Sequence, residues 1–216
     1  MKITHIHHAS FFIELNHCSL LFDYATGQLP KINQDLPLYI FVSHHHHDHF
    51  NIIIDSIDHP DIVYIVSNDT PHHGISVKAH QQIQVEQLNI TTLESTDDGV
   101  AFIIETEGKT IYHAGDLNYW NWIGEPIEFL QDQETRFKRE IDCYQNTYFD
   151  IVMSPLDPRL ETTAHHGLQY LLDKWQVNCC IPMHYFNQFD TMVSLCNQNL
   201  EGYDITLIKQ NESIII

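Results

Sequence analysis

Apolar and polar residues alternate over short stretches at the start of the chain. Ile3 to Ile6, Phe11 to Leu15 and Leu20 to Tyr24 read as three strands, with Asn16-His17 as the turn between the second and third. Leu38-Tyr39-Ile40-Phe41-Val42 is apolar at every position, as expected of a strand covered on both faces. Phe50 to Ile57 then has helical spacing, and Asp61 to Val66 reads as another strand. No element is assigned between Ser67 and Asp98. Gly99 to Glu105 and Thr110 to His113, joined at Glu107-Gly108, form a second hairpin. Ile127, Leu130, Phe137, Ile141 and Tyr144, with Asp132/Arg136 and Glu134/Lys138 paired four apart, predict an amphipathic helix over 126–148. The remainder alternates: a strand at 150–154, a helix at 167–175, a strand at 177–181, a helix at 191–199, and closing strands at 205–208 and 213–216.

Hairpins first and strand–helix alternation later predict an α/β (α+β) architecture in which two sheets pack face to face with helices outside, an αββα sandwich. No linker or shift of charge breaks the chain, so residues 1–216 are expected to form a single domain. With 216 residues, 43% of them hydrophobic, the chain is long enough to bury a large core and is not of disordered composition.

Charge narrows the partners. The chain carries 10 basic and 29 acidic residues, a formal charge of −19, and 17 histidines; protonating every histidine would give only −19 + 17 = −2. Bulk-charge binding of nucleic acid or of an anionic membrane is excluded on that account. Five cysteines, an odd number with no C-x-x-C pair, do not read as a disulfide framework. The N-terminus lacks the apolar stretch of a signal peptide and no membrane-spanning run follows, so a soluble, cytoplasmic setting is expected.

The histidines are concentrated where chemistry is expected. Ser43-His44-His45-His46-His47-Asp48-His49 follows the apolar strand directly and contains H-x-H-x-D-H as His44, His46, Asp48 and His49. Residues two apart on an extended segment project to one side, so His44 and His46 can share a cation, while Asp48 and His49 turn toward a second position. Imidazole and carboxylate together suit zinc, and also manganese or iron(II). The tract sits between an apolar strand and a predicted helix, unlike a fortuitous histidine run or tag.

This motif, with Ile3 to Phe12, Ile111-Tyr112-His113-Ala114-Gly115-Asp116 and Ile181-Pro182-Met183-His184-Tyr185, resembles the metallo-β-lactamase superfamily, and within it the short branch of L-ascorbate-6-phosphate lactonase-like hydrolases. The resemblance implies a four-layer αββα fold and two divalent metal ions, Zn2+ or Mn2+, held by His44, His46, Asp48, His49, Asp116 and His184, with Asp116 bridging. One ligand does not carry over. The family supplies a further histidine between the first motif and the Gly-Asp, and Thr92 to Gly99 contains none. Asp97 substitutes for it, His113 swings in, or the first site is weak or vacant; the sequence leaves these three open.

Around the metals, His8 and Asp23 end the first and third predicted strands, at the edge expected to carry His44. His8 matches a histidine near the metal centre of the resembled branch, and Asp23 is otherwise a turn former. Tyr119, Trp120 and Trp122 either wall a substrate pocket or plug the core. Arg159 is either an anion clamp beside the site or the partner of Asp157 or Glu161. The expected function is a metal-dependent hydrolase in which activated water attacks a small, anionic ester, lactone, thioester or phosphodiester. Asp48, His8 and Arg159 are expected to serve the chemistry. The alternatives are a metal-binding or ligand-sensing protein that lost a ligand, a di-iron oxidoreductase, disfavoured by His46 where those relatives carry glutamate, and a nuclease, disfavoured by the charge.

Overall fold

The computed structural model describes residues 1–216. The first sheet is built from β1 (Lys2–His7), β2 (Ser10–Glu14), β3 (Ser19–Phe22), β4 (Leu38–Val42), β5 (Ile62–Ser67) and β6 (Ile75–Val77). The second uses β7 (Gln82–Val85), β8 (Leu88–Glu94), β9 (Val100–Thr106) and β10 (Lys109–His113). After α1 (Ile127–Asp142) come β11 (Tyr148–Phe149), β12 (Ile151–Pro155), α2 (His166–Lys174), β13 (Gln176–Val177), β14 (Cys180–Met183), α3 (Phe189–Asn199) and β15 (Ser213–Ile215). The sheet orders are β15-β1-β2-β3-β4-β5-β6 and β14-β12-β10-β9-β8-β7, with β11 and β13 forming a separate pair.

The side-chain period of two sorts the first sheet into its faces. Phe11, Ile13, Phe22, Tyr39 and Phe41 belong to the large core shared with Phe102, Ile104 and Tyr112 of the second sheet. Phe12, Leu21, Leu38, Ile40 and Val42 form a smaller cluster with Ile54. That is why β4 is apolar throughout. On the far side of the second sheet, α1 and α2 bury Phe137, Ile141, Leu168 and Leu171 in the core, and Trp175 packs edge-on against Tyr112.

Several elements differ from the sequence expectation. The helix predicted over 50–57 is a five-residue 3-10 helix, Ile52–Ser56, capped by Asn51, so the layer over the first sheet is thin. The helix predicted to 148 ends at Asp142; Asn146 takes a left-handed φ of 63° and the chain turns into β11. Residues 75–94, given no element, hold β6, β7 and β8. Their solvent faces carry Gln82, Gln84 and Asn89, which dilute the apolar signal. The strand expected at 177–181 divides between β13 and β14. At 205–208 only a bridge from Ile205 to Cys180 forms, leaving β15 as the closing strand against β1.

Candidate metal centre

Strand direction decides what meets. β1, β2 and β3 are successively antiparallel while β3, β4 and β5 are parallel, so the chain leaves β1, β3 and β4 at one edge. His8, Asp23 and the His44–His49 tract follow those ends. β10, β12 and β14 are likewise parallel and deliver Asp116, Asp157 and His184 from the second sheet. His8, Asp23 and His184 all have positive φ, 49°, 44° and 69°. For non-glycine residues this costs on the order of 1–3 kcal/mol each and is tolerated where the surroundings fix the conformation.

The imidazoles are aimed by Asp23. Its Oδ1 accepts the Ser43 backbone N–H at 2.7 Å, and its Oδ2 accepts the Ser43 hydroxyl at 2.6 Å and His49 Nδ1–H at 2.7 Å. Because the hydroxyl proton is given to Asp23, Ser43 Oγ is left to accept from His44 Nδ1 at 2.9 Å. One buried carboxylate thereby places the protons of both rings on Nδ1 and leaves Nε2 bare. His44 Nε2 lies 3.5 Å from Asp116 Oδ2, His49 Nε2 lies 3.2 Å from Asp116 Oδ1, and His184 Nε2 lies 2.8 Å from that oxygen and 3.2 Å from His49 Nε2.

These separations match the roughly 3.3 Å edge of a tetrahedron around an ion with ~2.0–2.1 Å bonds. Asp116 Oδ1, His44 Nε2 and both nitrogens of His8 are buried without a hydrogen-bond partner. Buried polar atoms are seldom left so, and cations shared by His44 with Asp116 and by one nitrogen of His8 with His49 and His184 satisfy them. The donor set therefore fits a divalent metal. Burial, with His49 adding to it, lowers His44 to about 4, keeping the ring neutral as a ligand must be. For His49 burial works against the cation, yet the carboxylates of Asp116 and Asp23 raise it, so this spot favours positive charge.

The sequence-nominated residues divide as follows. His44, His49, Asp116 and His184 converge directly. His8 joins them, with its ligating atom within 4.8 Å of those of His49 and His184. His46 falls into an outer group with Asp97 and Asp116, again within 4.8 Å. Asp97 is pushed up by burial and by the facing Asp116 carboxylate. Asp48 lines the cavity with its Oδ2 3.4 Å from His8 Nε2. His113 does not swing in: its Nε2 pairs with the Ala9 carbonyl at 2.8 Å, its Nδ1 accepts Gly115 N–H, and its ring stacks on Phe22. Arg159 is paired with Asp157 through Nε and Nη2 and packed between Trp122 and Phe186, yet it still lines the cavity.

The centre opens into a cavity of about 430 Å³ whose other wall holds Trp120, Trp122 and Phe129. Trp120 and Trp122 stack in parallel there, while Tyr119 faces away and stacks on His166. Two site-shaping residues escaped the sequence reading. Asp157 is fully buried and 3.6 Å from His184 Nδ1, a contact its neighbourhood with Arg159 in the sequence does not reveal. Ser43, flanking the motif, relays Asp23 to His44.

A family model described as the beta-lactamase superfamily domain matches residues 2–125. The chain belongs to the β-lactamase superfamily. Solved structures give this superfamily member its fold as well. It is similar to Igni18, a metallo hydrolase from the archaeon Ignicoccus hospitalis, at 16% identity and a TM-score of 0.67, covering 99% of this chain and 97% of that one. The metallo-β-lactamase fold protein YhfI from Bacillus subtilis is 14% identical, with a TM-score of 0.58 over 99% of both chains. CmlA, a diiron β-hydroxylase from Streptomyces venezuelae, is 8% identical at a TM-score of 0.64, covering 100% of this chain and 54% of that one. No protein of curated function matches the sequence. No helix is long and apolar enough to cross a membrane.

Proposed function

We propose that this β-lactamase superfamily member is a metal-dependent hydrolase acting on a small carbonyl or phosphoryl metabolite that carries an anionic group. The observation that carries the reading is the convergence of the bare Nε2 atoms of His44, His49 and His184 on Asp116 at the floor of an open cavity. A bound divalent cation supplies Lewis acidity and brings the pKa of water down to roughly 7. The chain's own residues do the rest. Asp23 and Ser43 hold the imidazoles in the ligating tautomer. Arg159, whose Nη1 makes no hydrogen bond within the chain, offers two N–H donors to a substrate carboxylate or phosphate. The stacked Trp120–Trp122 pair and Phe129 exclude water on the opposite side and receive an apolar portion.

Zn2+ or Mn2+ in two positions is the occupancy that suits these residues, and the five unpaired cysteines suit a reducing, cytoplasmic setting. Because CmlA shares the fold and is a hydroxylase, the metal and the reaction must be tested together. The metal-free protein is reloaded with Zn2+, Mn2+ or Fe2+ and screened against lactones, thioesters and phosphodiesters. Turnover with at least one metal, lost in Asp116→Ala, is expected. Turnover that persists in Asp116→Ala, or no turnover and less than one tightly bound metal per chain, refutes the proposal.

A further inference from the structure

The resemblance implies a histidine ahead of Gly115-Asp116 that this chain lacks, and the structure shows what occupies the corresponding segment. The segment that lacks the histidine, Thr92 to Gly99, is not loose. Gln133 and Arg136 of α1 donate to the Thr96 carbonyl at 3.1 Å each, and Arg136 Nη2 donates to the Ser95 carbonyl at 2.7 Å. Thr96 Oγ1 donates to the Asn118 carbonyl at 2.5 Å and accepts the Asn118 N–H at 3.0 Å. At the far end Val100 N–H donates to the Ser43 carbonyl at 2.9 Å. Gly99, at φ +72°, lets the backbones come so close that a Cβ there would sit 2.0 Å from the Ser43 oxygen. The loop is thus fixed against the metal motif itself.

Within it, Ser95 and Thr96 spend their hydroxyls on local backbone, and Asp98 lies 3.3 Å from His46 Nε2. Placing the His46 proton on that nitrogen leaves Nδ1 bare toward Asp97, whose Oδ2 is 3.9 Å away. The Asp97 carboxylate accepts no hydrogen bond from the chain, and its ligating reach includes both His46 and Asp116. The buried, unpartnered His44 Nε2 points to the other carboxylate oxygen of Asp116.

We propose that Asp97 stands in for the absent histidine, so that the outer position is held by His46, Asp97 and Asp116 and selects a harder ion than a histidine in place of Asp97 would. The inference rests on the metal-centre reading above. One nitrogen and two carboxylates face the ion where a histidine in place of Asp97 would give two nitrogens and one carboxylate. Exchanging imidazole for an anionic oxygen neutralises a divalent ion within its own ligand set and shifts preference away from Zn2+ and toward Mn2+ or Fe2+, relative to the histidine version. The inner position, where the ligating atoms of His8, His49 and His184 lie within 4.8 Å of one another, keeps its nitrogen-rich character.

The test is metal binding by the full chain, stripped with a chelator and dialysed against buffered Mn2+, Zn2+ or an equimolar mixture, with bound metal counted by mass spectrometry. The Mn2+-loaded sample is also examined by electron paramagnetic resonance for a spin-coupled pair. Wild type is expected to take two cations per chain and Asp97→Ala one, the second lost by more than the ~10–100-fold typical of an outer-shell contact. The coupled-pair signal disappears with it. Asp97→His is expected to retain two cations and raise the Zn2+-to-Mn2+ ratio at least about tenfold at the outer position. Since the Asp97 side chain supports no hydrogen bond of the fold, both variants should stay folded, and Asp97→Asn serves as the isosteric control. Two cations bound by Asp97→Ala with wild-type affinity, or an unchanged metal ratio in Asp97→His, overturns the proposal while leaving the metal centre standing. A wild type that takes no metal at all overturns both.

Discussion

Replacing Asp23 by asparagine tests whether one buried carboxylate sets the chemistry of two histidines. The carboxylate accepts from Ser43 N, Ser43 Oγ and His49 Nδ1, all at 2.6–2.7 Å. Asparagine is nearly isosteric but has one acceptor and one donor end. With its oxygen kept on the Ser43 N–H, its amide hydrogens face Ser43 Oγ and His49 Nδ1. The His49 proton must then move to Nε2, the atom 3.2 Å from Asp116, which turns a ligand into a donor. Turning the amide over relieves His49 and sets NH2 against the Ser43 N–H, leaving a buried donor unpaired at about 1–3 kcal/mol. Either way the loss of the orienting partner should weaken metal binding by about 10–100-fold, or roughly 1.4–2.7 kcal/mol. Zn2+ affinity is read by competition with a chromophoric chelator, and thermal unfolding is followed with and without Zn2+. The metal-induced stabilisation should shrink by the same free energy. An Asp23→Asn protein that binds Zn2+ within about threefold of wild type would refute the tautomer argument.

Two further predictions concern residues that support the candidate ligands without being ligands themselves. His5, fully buried between the His8 carbonyl (3.1 Å) and the Tyr185 hydroxyl (2.9 Å), is lowered by burial to about 4. The unfolded chain takes up that proton near 6.5, so the stability His5 contributes is complete above that pH and is lost as pH falls toward 4, up to about 3 kcal/mol in all. Urea unfolding from pH 7.5 to 4.5 should show a shallower decline in His5→Gln than in wild type; parallel curves would rule this out. Gly99→Ala puts a Cβ 2.0 Å from the Ser43 carbonyl oxygen and 2.6 Å from His44 Cβ at a left-handed φ. It should destabilise the fold by more than the ~1–2 kcal/mol of the backbone strain alone. Calorimetry would contradict this if the melting temperature stayed within about 2 °C of wild type.

Elements whose burial leaves a strong mark on composition are legible along the chain. Leu38 to Val42 announces a strand covered on both faces, and the H-x-H-x-D-H spacing beside it announces ligands, because both depend on local order. The 3-10 helix at Ile52–Ser56 was overestimated because helical spacing over eight residues does not ensure the packing that sustains a helix. β7 and β8 are short half-buried strands whose signal is the polar–apolar alternation of Gln82-Ile83-Gln84-Val85 and Leu88-Asn89-Ile90 and not an apolar run, and β7 lies at the sheet edge.

The sequence by itself determined the two-sheet architecture, through its apolar strands and amphipathic helix, and nominated candidate ligands in His44, His46, Asp48, His49, Asp116 and His184. Which side chain serves which position was decided only by the tertiary structure. Asp23 and His49 are 26 residues apart, and His49 and His184 are 135 apart. The parallel alignment of β3 with β4 brings the first pair within hydrogen-bond reach, and the packing of the first sheet's edge against the second sheet brings the other. The same closure withdrew His113 into backbone contacts, paired Arg159 with Asp157, and fixed Asp97 opposite His46. Ligand types follow from composition and spacing, but tautomer, partner and coordination place are properties of contacts between distant segments, and those exist only after the two sheets have met.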